Sequence, residues 1–444
     1  MAPLVSLPVL LRAPWRDPVA VASAFADEAW CACLLSDGVR GRWSYVARRP
    51  EAALSIAPDD LSDPFVALTD FIGPPGAKDP DGPPFQGGVI GLAAYELAER
   101  IEPLGLARRP AWPDLASARY AAVLAFDHAS REVLAVGRDR EAAQAALAWL
   151  AAERPAPFAG PLARELRCEP PSRHEAAVCD VTARIAAGEI FQANIARRWR
   201  GRLAVGARPF DLFARLATQS PAPFASYLRL PGLAVVSNSP ERFVGLIARD
   251  GALIAETRPI KGTAARGCSP DEDAASAAAL AASDKDRAEN LMIVDLMRND
   301  LARVSRAGSV IAPALFAVET FANVHHLVST VRSTLAPGRG AADLLRATFP
   351  PGSITGAPKV QAMKVIARYE PPRGPFFGAM FLAGADGGFD SSVLIRTTAF
   401  EEDADGWAFE ARAGGGVVAD SEPVAERRET DAKIAAVMWA LTGD

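Results

Sequence analysis

Residues 224–263 read Phe224-Ala-Ser-Tyr-Leu-Arg-Leu-Pro-Gly-Leu-Ala-Val-Val-Ser-Asn-Ser-Pro-Glu241-Arg-Phe-Val-Gly-Leu-Ile-Ala-Arg-Asp-Gly-Ala-Leu-Ile-Ala-Glu-Thr257-Arg-Pro-Ile-Lys261-Gly262-Thr263. Short apolar runs punctuated by Pro, Gly and Asp predict strands near 225–230, 232–237, 242–248 and 252–256, with no helix between them. Outward from this stretch, strands are expected near 193–203, 326–334, 379–384, 391–399 and 407–413. Helices are expected from His174 to Ala187, stopping at Gly188, and from Ser283 to Leu301, where Ser283 caps and Asp284 and Asp286 occupy the first turn. Two more are expected from Val360 to Tyr369 and from Pro423 to Leu441. Strands in runs with helices interspersed predict an α+β fold, layered antiparallel β-sheets flanked by helices, rather than βαβ alternation.

Before this region, apolar segments at 43–46, 87–91 and 120–126 predict strands, 141–153 a helix and 73–84 a surface loop. Prolines at 155, 157, 161, 170 and 171 cluster in a polar stretch. They suggest a boundary between an N-terminal subdomain, 1–160, and a catalytic domain, 170–444. The 444 residues are 50% hydrophobic and 23% charged, with a net charge of −5, which suits a soluble globular enzyme. No long block of like charge points to a nucleic-acid or membrane surface. No apolar run reaches membrane-spanning length, and the N-terminus is a poor signal peptide. Five cysteines without pairing or metal spacing predict reduced thiols and a cytoplasmic protein.

Several residues carry possible chemistry. Pro259 fixes the backbone before Lys261, and Gly262 permits close approach just after it. An amine so positioned becomes a nucleophile if burial or a neighbouring cation depresses its pKa from about 10.4. Otherwise it is a surface lysine at a strand end. Asp286 and Glu289 share one helix face, as do Glu426 and Glu429. Together the four make an all-oxygen site for a hard cation such as Mg²⁺, one carboxylate per helix binding directly and its neighbour through water. Apart, they are two solvated faces. The turn Phe349-Pro-Pro-Gly-Ser-Ile-Thr355-Gly-Ala-Pro-Lys359 precedes a helix and suits an anion, as does the run Gly414-Gly415-Gly416. Arg396, at the end of an apolar strand, suits a carboxylate. Glu241 and His326 are each either a general acid or base, or a satisfied polar group.

In order, the chain carries Gly188-Glu-Ile-Phe-Gln192-Ala-Asn194, Ser239-Pro-Glu-Arg-Phe, Arg258-Pro-Ile-Lys-Gly-Thr, Glu289 to Asp300, His326-Leu-Val-Ser, Gly352-Ser-Ile-Thr-Gly-Ala-Pro-Lys, Ile395-Arg-Thr, the triple glycine, and Glu426 with Glu429. This series, spanning 188–433, resembles the chorismate-utilising enzymes. Gly41-Arg-Trp-Ser-Tyr45, Gly87 to Tyr95 and Ala222-Pro-Phe224 extend the resemblance toward the N-terminus. It implies the chorismate-binding-enzyme fold and Mg²⁺ held by Glu289 and Glu429, with Asp286 and Glu426 behind them. It implies Lys261, Glu241 and His326 as catalytic residues. Around chorismate it implies Gly262, Thr263, Thr355, Phe376, Arg396, Gly414, Gly415 and Gly416.

Within the family, anthranilate synthases typically carry alanine at position 261 and aminodeoxychorismate synthases lysine. Isochorismate and salicylate synthases place a lysine at position 192 to activate water, where this chain has Gln192. Amination at C4 of chorismate is therefore expected. The ammonia is expected from a separate glutamine amidotransferase subunit, because no Gly-x-Cys-x-Gly turn occurs here. Two departures stand out. Phe376 replaces the family's usual tyrosine, and Leu34-Leu-Ser-Asp37 departs from the tryptophan-binding pattern of anthranilate synthases.

Overall fold

The computed structural model describes residues 6–39, 41–320 and 324–443. Two large β-sheets, of 12 and 10 strands, face each other, and the strand pairings among the described residues are antiparallel. Both sheets draw strands from each end of the chain. Val9–Pro14, Ala32–Leu35 and Trp43–Ala47 lie in the first, while Ala52–Ile56, Gly88–Ala93 and Leu115–Tyr120 lie in the second.

Strand alternation explains the layering. In the first sheet Tyr45, Val123, Leu228 and Val235 enter a core shared with Ile90, Val244 and Phe381 of the second sheet. Their neighbours Val46, Leu124, Tyr227 and Val236 point the other way and pack under helices on the outer face. Residues one apart therefore serve two cores, which is why these strands read as continuous apolar runs.

The strands around the prospective site are β1 (Gln192–Leu203), β2 (Leu233–Ser239), β3 (Arg242–Arg249), β4 (Ile260–Ala265), β5 (Val324–Thr334), β6 (Phe389–Val393), β7 (Thr397–Asp403) and β8 (Gly406–Val417). Strands β1, β2, β7 and β8 belong to the first sheet, and β3, β4, β5 and β6 to the second. The helices are α1 (Asp284–Ala302), α2 (Lys359–Tyr369) and α3 (Pro423–Thr442). Ser283 accepts the Asp286 amide at the start of α1, as its sequence position predicts.

Three local expectations change. The strand expected over 391–399 is two strands in different sheets, β6 and β7, with Leu394–Arg396 crossing between them. Both halves face apolar surroundings, so hydrophobicity alone does not reveal the break. The proline-rich stretch 154–172 contains a strand, Ala163–Cys168, paired with β1. A helix at Pro270–Ala282, with only Leu280 buried, was too alanine-rich to show a clear apolar stripe.

One buried ion pair ties the site's supports together. Lys359 Nζ, at the start of α2, lies 2.6 Å from Asp300 Oδ2 near the end of α1 and donates to Thr348 O at 2.8 Å. The intervening turn 349–358 is thereby clamped to α1. Lys359→Met would leave the Asp300 carboxylate buried without a counter-ion. The expected loss is about 3–5 kcal/mol of stability, read as a lower urea midpoint; a loss under about 1 kcal/mol would show that the clamp is not structural.

Candidate active site

Two crossings between the sheets create the centre of the site. The chain passes from β2 to β3 at Pro240–Glu241, and from β6 to β7 at Leu394–Arg396. The crossings are laced together: the Val393 amide donates to Glu241 O at 3.1 Å and the Asn238 amide to Arg396 O at 3.1 Å. Arg396 adopts a left-handed backbone, φ 50°, uncommon for a residue with a side chain and often found at functional sites. The Glu241 carboxylate accepts a hydrogen bond from Ser353 Oγ at 2.9 Å. Burial pushes the Glu241 carboxyl above its ordinary range, opposed by Ser353, Lys261, Lys433 and Arg396.

Lys261 is aimed by a β-bulge. Pairing between β4 and β5 runs Lys261 to Leu327, then skips to Thr263 opposite His326, which leaves Gly262 as the extra residue. Gly262 has φ 74°, and a Cβ there would lie 2.9 Å from Asp286 Cγ. A glycine is thus required twice, for its dihedral and for the close approach of α1. Asn290 fixes α1 from beneath, donating to Pro259 O at 3.4 Å and Leu327 O at 3.2 Å and accepting from Ser329 Oγ at 2.5 Å. Glu289, one residue earlier, is so held with Oε2 3.8 Å from Lys261 Nζ. Burial holds the Lys261 ammonium below the ordinary lysine range, with Lys433 adding to the effect and Glu289 opposing it.

The triple glycine of β8 forms the floor. A Cβ on Gly415 would lie 2.8 Å from Glu426 Oε2 and 3.7 Å from Glu429 Oε1. One on Gly416 would lie 2.6 Å from Gln192 Nε2 and 3.5 Å from Lys261 Nζ. Side chains from α3, β1 and β4 therefore meet over backbone that must carry none. Glu429 Oε1 pairs with Lys433 Nζ at 2.5 Å, and Lys433 also donates to Gly414 O at 3.0 Å. Ser421 Oγ donates to Glu426 Oε1 at 2.6 Å, while burial raises the Glu426 carboxyl.

The structure brings Lys261, Glu289, Glu426, Glu429, Gly415 and Gly416 together, and sets Glu241 close enough to Lys261 for their charges to interact. Asp286 packs on Gly262, and Gly414 accepts the Lys433 ammonium at its carbonyl. His326 is half-buried, with Nδ1 3.0 Å from Thr263 Oγ1. Two expectations are corrected. Thr355 is fully buried; its hydroxyl donates to Pro351 O at 2.9 Å and accepts from Tyr95 at 3.2 Å, so it holds the turn instead of facing a ligand. Phe376 is 1% exposed, packed in the inter-sheet core with the Arg412 guanidinium 5.0 Å from its ring centroid, and offers almost no surface to a substrate. Ser353, Asn290 and Lys433 escaped the sequence reading. Ser353 and Thr355 are two hydroxyls two apart on one turn, and only the turn's geometry separates them.

Among the described residues, no three acidic, histidine or cysteine side chains already converge as a metal-binding group. Glu289 and Glu429 instead face Lys261 and Lys433. The oxygen-only donors nevertheless fit a hard cation, since Glu426 and Glu429 both reach the same point over Gly415. Nearby, a cavity of about 1450 Å³ is lined by Leu34, Leu35 and Ser36 and by Pro240 and Arg242, which flank Glu241.

A family model described as chorismate binding enzyme matches residues 31–439. The chain is 39% identical to aminodeoxychorismate synthase component 1 of Klebsiella aerogenes, across 98% of this chain and 99% of that one. It is 40% identical to anthranilate synthase component 1 of Streptomyces coelicolor, across 92% of this chain and 82% of the relative. Among solved structures, anthranilate synthase component I from Streptococcus pneumoniae matches with a TM-score of 0.77 at 27% identity, covering 90% of this chain and 92% of that chain.

A buried carboxyl that prefers to stay protonated makes a prediction independent of any substrate. The folded state holds the Glu241 proton to higher pH than the unfolded chain does, so Glu241 costs stability increasingly as pH rises above the unfolded value of about 4.3. Glu241→Gln does not titrate. Its denaturation midpoint should gain on the wild type's as pH rises from the unfolded value to the raised folded pKa and then hold level; no gain through that window would contradict the burial effect.

Proposed function

The chain belongs to the chorismate binding enzymes, and from that premise we propose that it is the synthase component of an aminodeoxychorismate synthase. It would convert chorismate and ammonia to 4-amino-4-deoxychorismate, on the route to 4-aminobenzoate and folate. Relatives named for C2 and for C4 amination are about equally similar, so overall identity does not choose between them. The observation that carries the choice is Lys261: a largely desolvated amine with a depressed pKa, aimed by the Gly262 bulge into the pocket over Gly416.

The proposed sequence has two displacements. The neutral Lys261 amine attacks C2 of chorismate, both conjugated ring double bonds shift, and the C4 hydroxyl departs as water with a proton from Glu241. Ammonia then attacks C4 and sheds a proton, both ring double bonds return, and the lysine amine is expelled from C2. The detour through a covalent intermediate explains how nitrogen arrives at C4. Arg396 and the backbone of Gly414–Gly416 would bind the enolpyruvyl carboxylate, with Gly262 and Thr263 at the ring and His326 oriented by Thr263. Glu289 and Glu429 would hold Mg²⁺, backed by Asp286 and Glu426, and the ion would neutralise the ring carboxylate. Glu426 and Glu429 reach one point over Gly415, and that convergence of carboxylate oxygens supports a cation at this place. Ammonia is assigned to a glutamine amidotransferase partner; the relatives are themselves named as component 1 of their enzymes. A cytoplasmic setting accords with five free cysteines, and no helix among the described residues is long and apolar enough to cross a membrane.

Incubation with chorismate, Mg²⁺ and ammonium salt should yield 4-aminobenzoate only once an aminodeoxychorismate lyase is added. Direct release of fluorescent anthranilate with pyruvate would sink the reading. Lys261→Ala should form no covalent adduct by intact-protein mass spectrometry, and its residual amination should drift toward C2.

Glu241 acts as an acid only while protonated, so kcat/KM should fall as pH rises through its pKa. Ser353→Ala removes a donor that favours the carboxylate, and should move this alkaline limb to higher pH. A limb that stays fixed or moves to lower pH would remove Glu241 from this role.

A further inference from the structure

Gln192 has no task in the chemistry above. It is fully buried, and among the described residues neither its Nε2 nor its Oε1 has a hydrogen-bond partner. An unmade hydrogen bond on a buried polar group costs about 1–3 kcal/mol. Such a group is tolerated where a ligand or a functional side chain meets it. The carboxamide is not hidden in the outer core. Its β1 neighbours Ala193 and Ile195 point there, whereas Gln192 turns to the opposite face of the strand, toward Gly416.

The same point above Gly416 lies 2.6 Å from Gln192 Nε2 and 3.5 Å from Lys261 Nζ. Amide and amine thus border the same small space over Gly416. A half-turn of the terminal torsion exchanges the amide oxygen and nitrogen, so Oε1 can enter the space over Gly416 as readily as Nε2 does. The lysine needs such an acceptor. A neutral amine attacks along its lone pair, and the lone pair is aimed only when the N–H bonds are held. Glu289 Oε2, at 3.8 Å from Nζ, is beyond hydrogen-bond reach.

We propose that Gln192 is a positioning residue for Lys261: its Oε1 accepts an N–H of the neutral amine and turns the nitrogen lone pair toward the ring carbon under attack. The proposal rests on the covalent reading given under Proposed function. It assigns Gln192 to the attack and not to substrate affinity, because the amide addresses the nucleophile.

The test is rapid mixing of the full-length protein with chorismate and Mg²⁺ in the absence of ammonia, followed by quenching and intact-protein mass spectrometry. Gln192→Met keeps the length of the side chain and removes the acceptor. Gln192→Asn keeps the polarity and withdraws the amide by one methylene. Both should slow adduct formation by about tenfold or more, with the half-saturating chorismate concentration within about twofold of wild type. Thermal midpoints near the wild type's for at least one variant establish that the fold is intact. A wild-type rate of adduct formation in a folded variant overturns the proposal, as does a loss appearing wholly as raised half-saturation. If the wild-type protein itself forms no adduct, the covalent reading fails; if it does and the variants match it, only the role of Gln192 fails.

Discussion

Charges crowded together and partly stripped of water must balance, and much of this structure follows from that constraint. Glu241, Glu289, Glu426 and Glu429 share their surroundings with Lys261 and Lys433. Stripping water from an ion is costly, so a desolvated group shifts toward its neutral form. Glu241 is pushed toward the protonated acid and Lys261 toward the free amine, while Glu429 and Lys433 pair at the more exposed side of the site. Two of the groups driven toward neutrality, Glu241 and Lys261, are the ones that acid catalysis and nucleophilic attack require. Lys261 and Glu241 therefore gain their proposed reactivity from the cost of burying them.

Such crowding demands room, and the backbone supplies it by omission. Three successive residues of β8 lack side chains, and the acids of α3, the amine of β4 and the amide of β1 occupy the vacated space. Rigidity comes from the two places where the chain changes sheets. Because Glu241 and Arg396 sit on crossings that hydrogen-bond to one another, their separation is set by the stacking of two sheets, not by a loop. Asn290 does the corresponding work for α1, anchoring it to the backbone on either side of Lys261's strand pair.

Residues 224–257 form strands close to their predicted limits, because Pro231-Gly232 and Asp250-Gly251 punctuate apolar runs of strand length. The pairings Asp286 with Glu289 and Glu426 with Glu429 could be assigned to helix faces from spacing alone. The same logic failed at 391–399, where one apolar run serves two sheets in succession. Spacing could not see Asn290 as a member of the pocket, since a buried amide leaves no periodic trace, and Gln192 stood out only through the family resemblance. Nor could it tell that Thr355 would be consumed by Tyr95, a residue 260 positions away. Local pattern reports what a residue can do. Long-range pairing decides which partner has already claimed it.

The lysine contacts of Glu289 and Glu429 carry a consequence for assembly. In a zinc finger the metal supplies much of the folding energy, and a chelator unfolds the domain. Here each of these two acids already faces an ammonium group. A divalent cation in the proposed position would exchange places with ammonium groups inside a finished frame. Were a cation held there, folding and loading would be separate events, and a chelated enzyme would be an intact vessel.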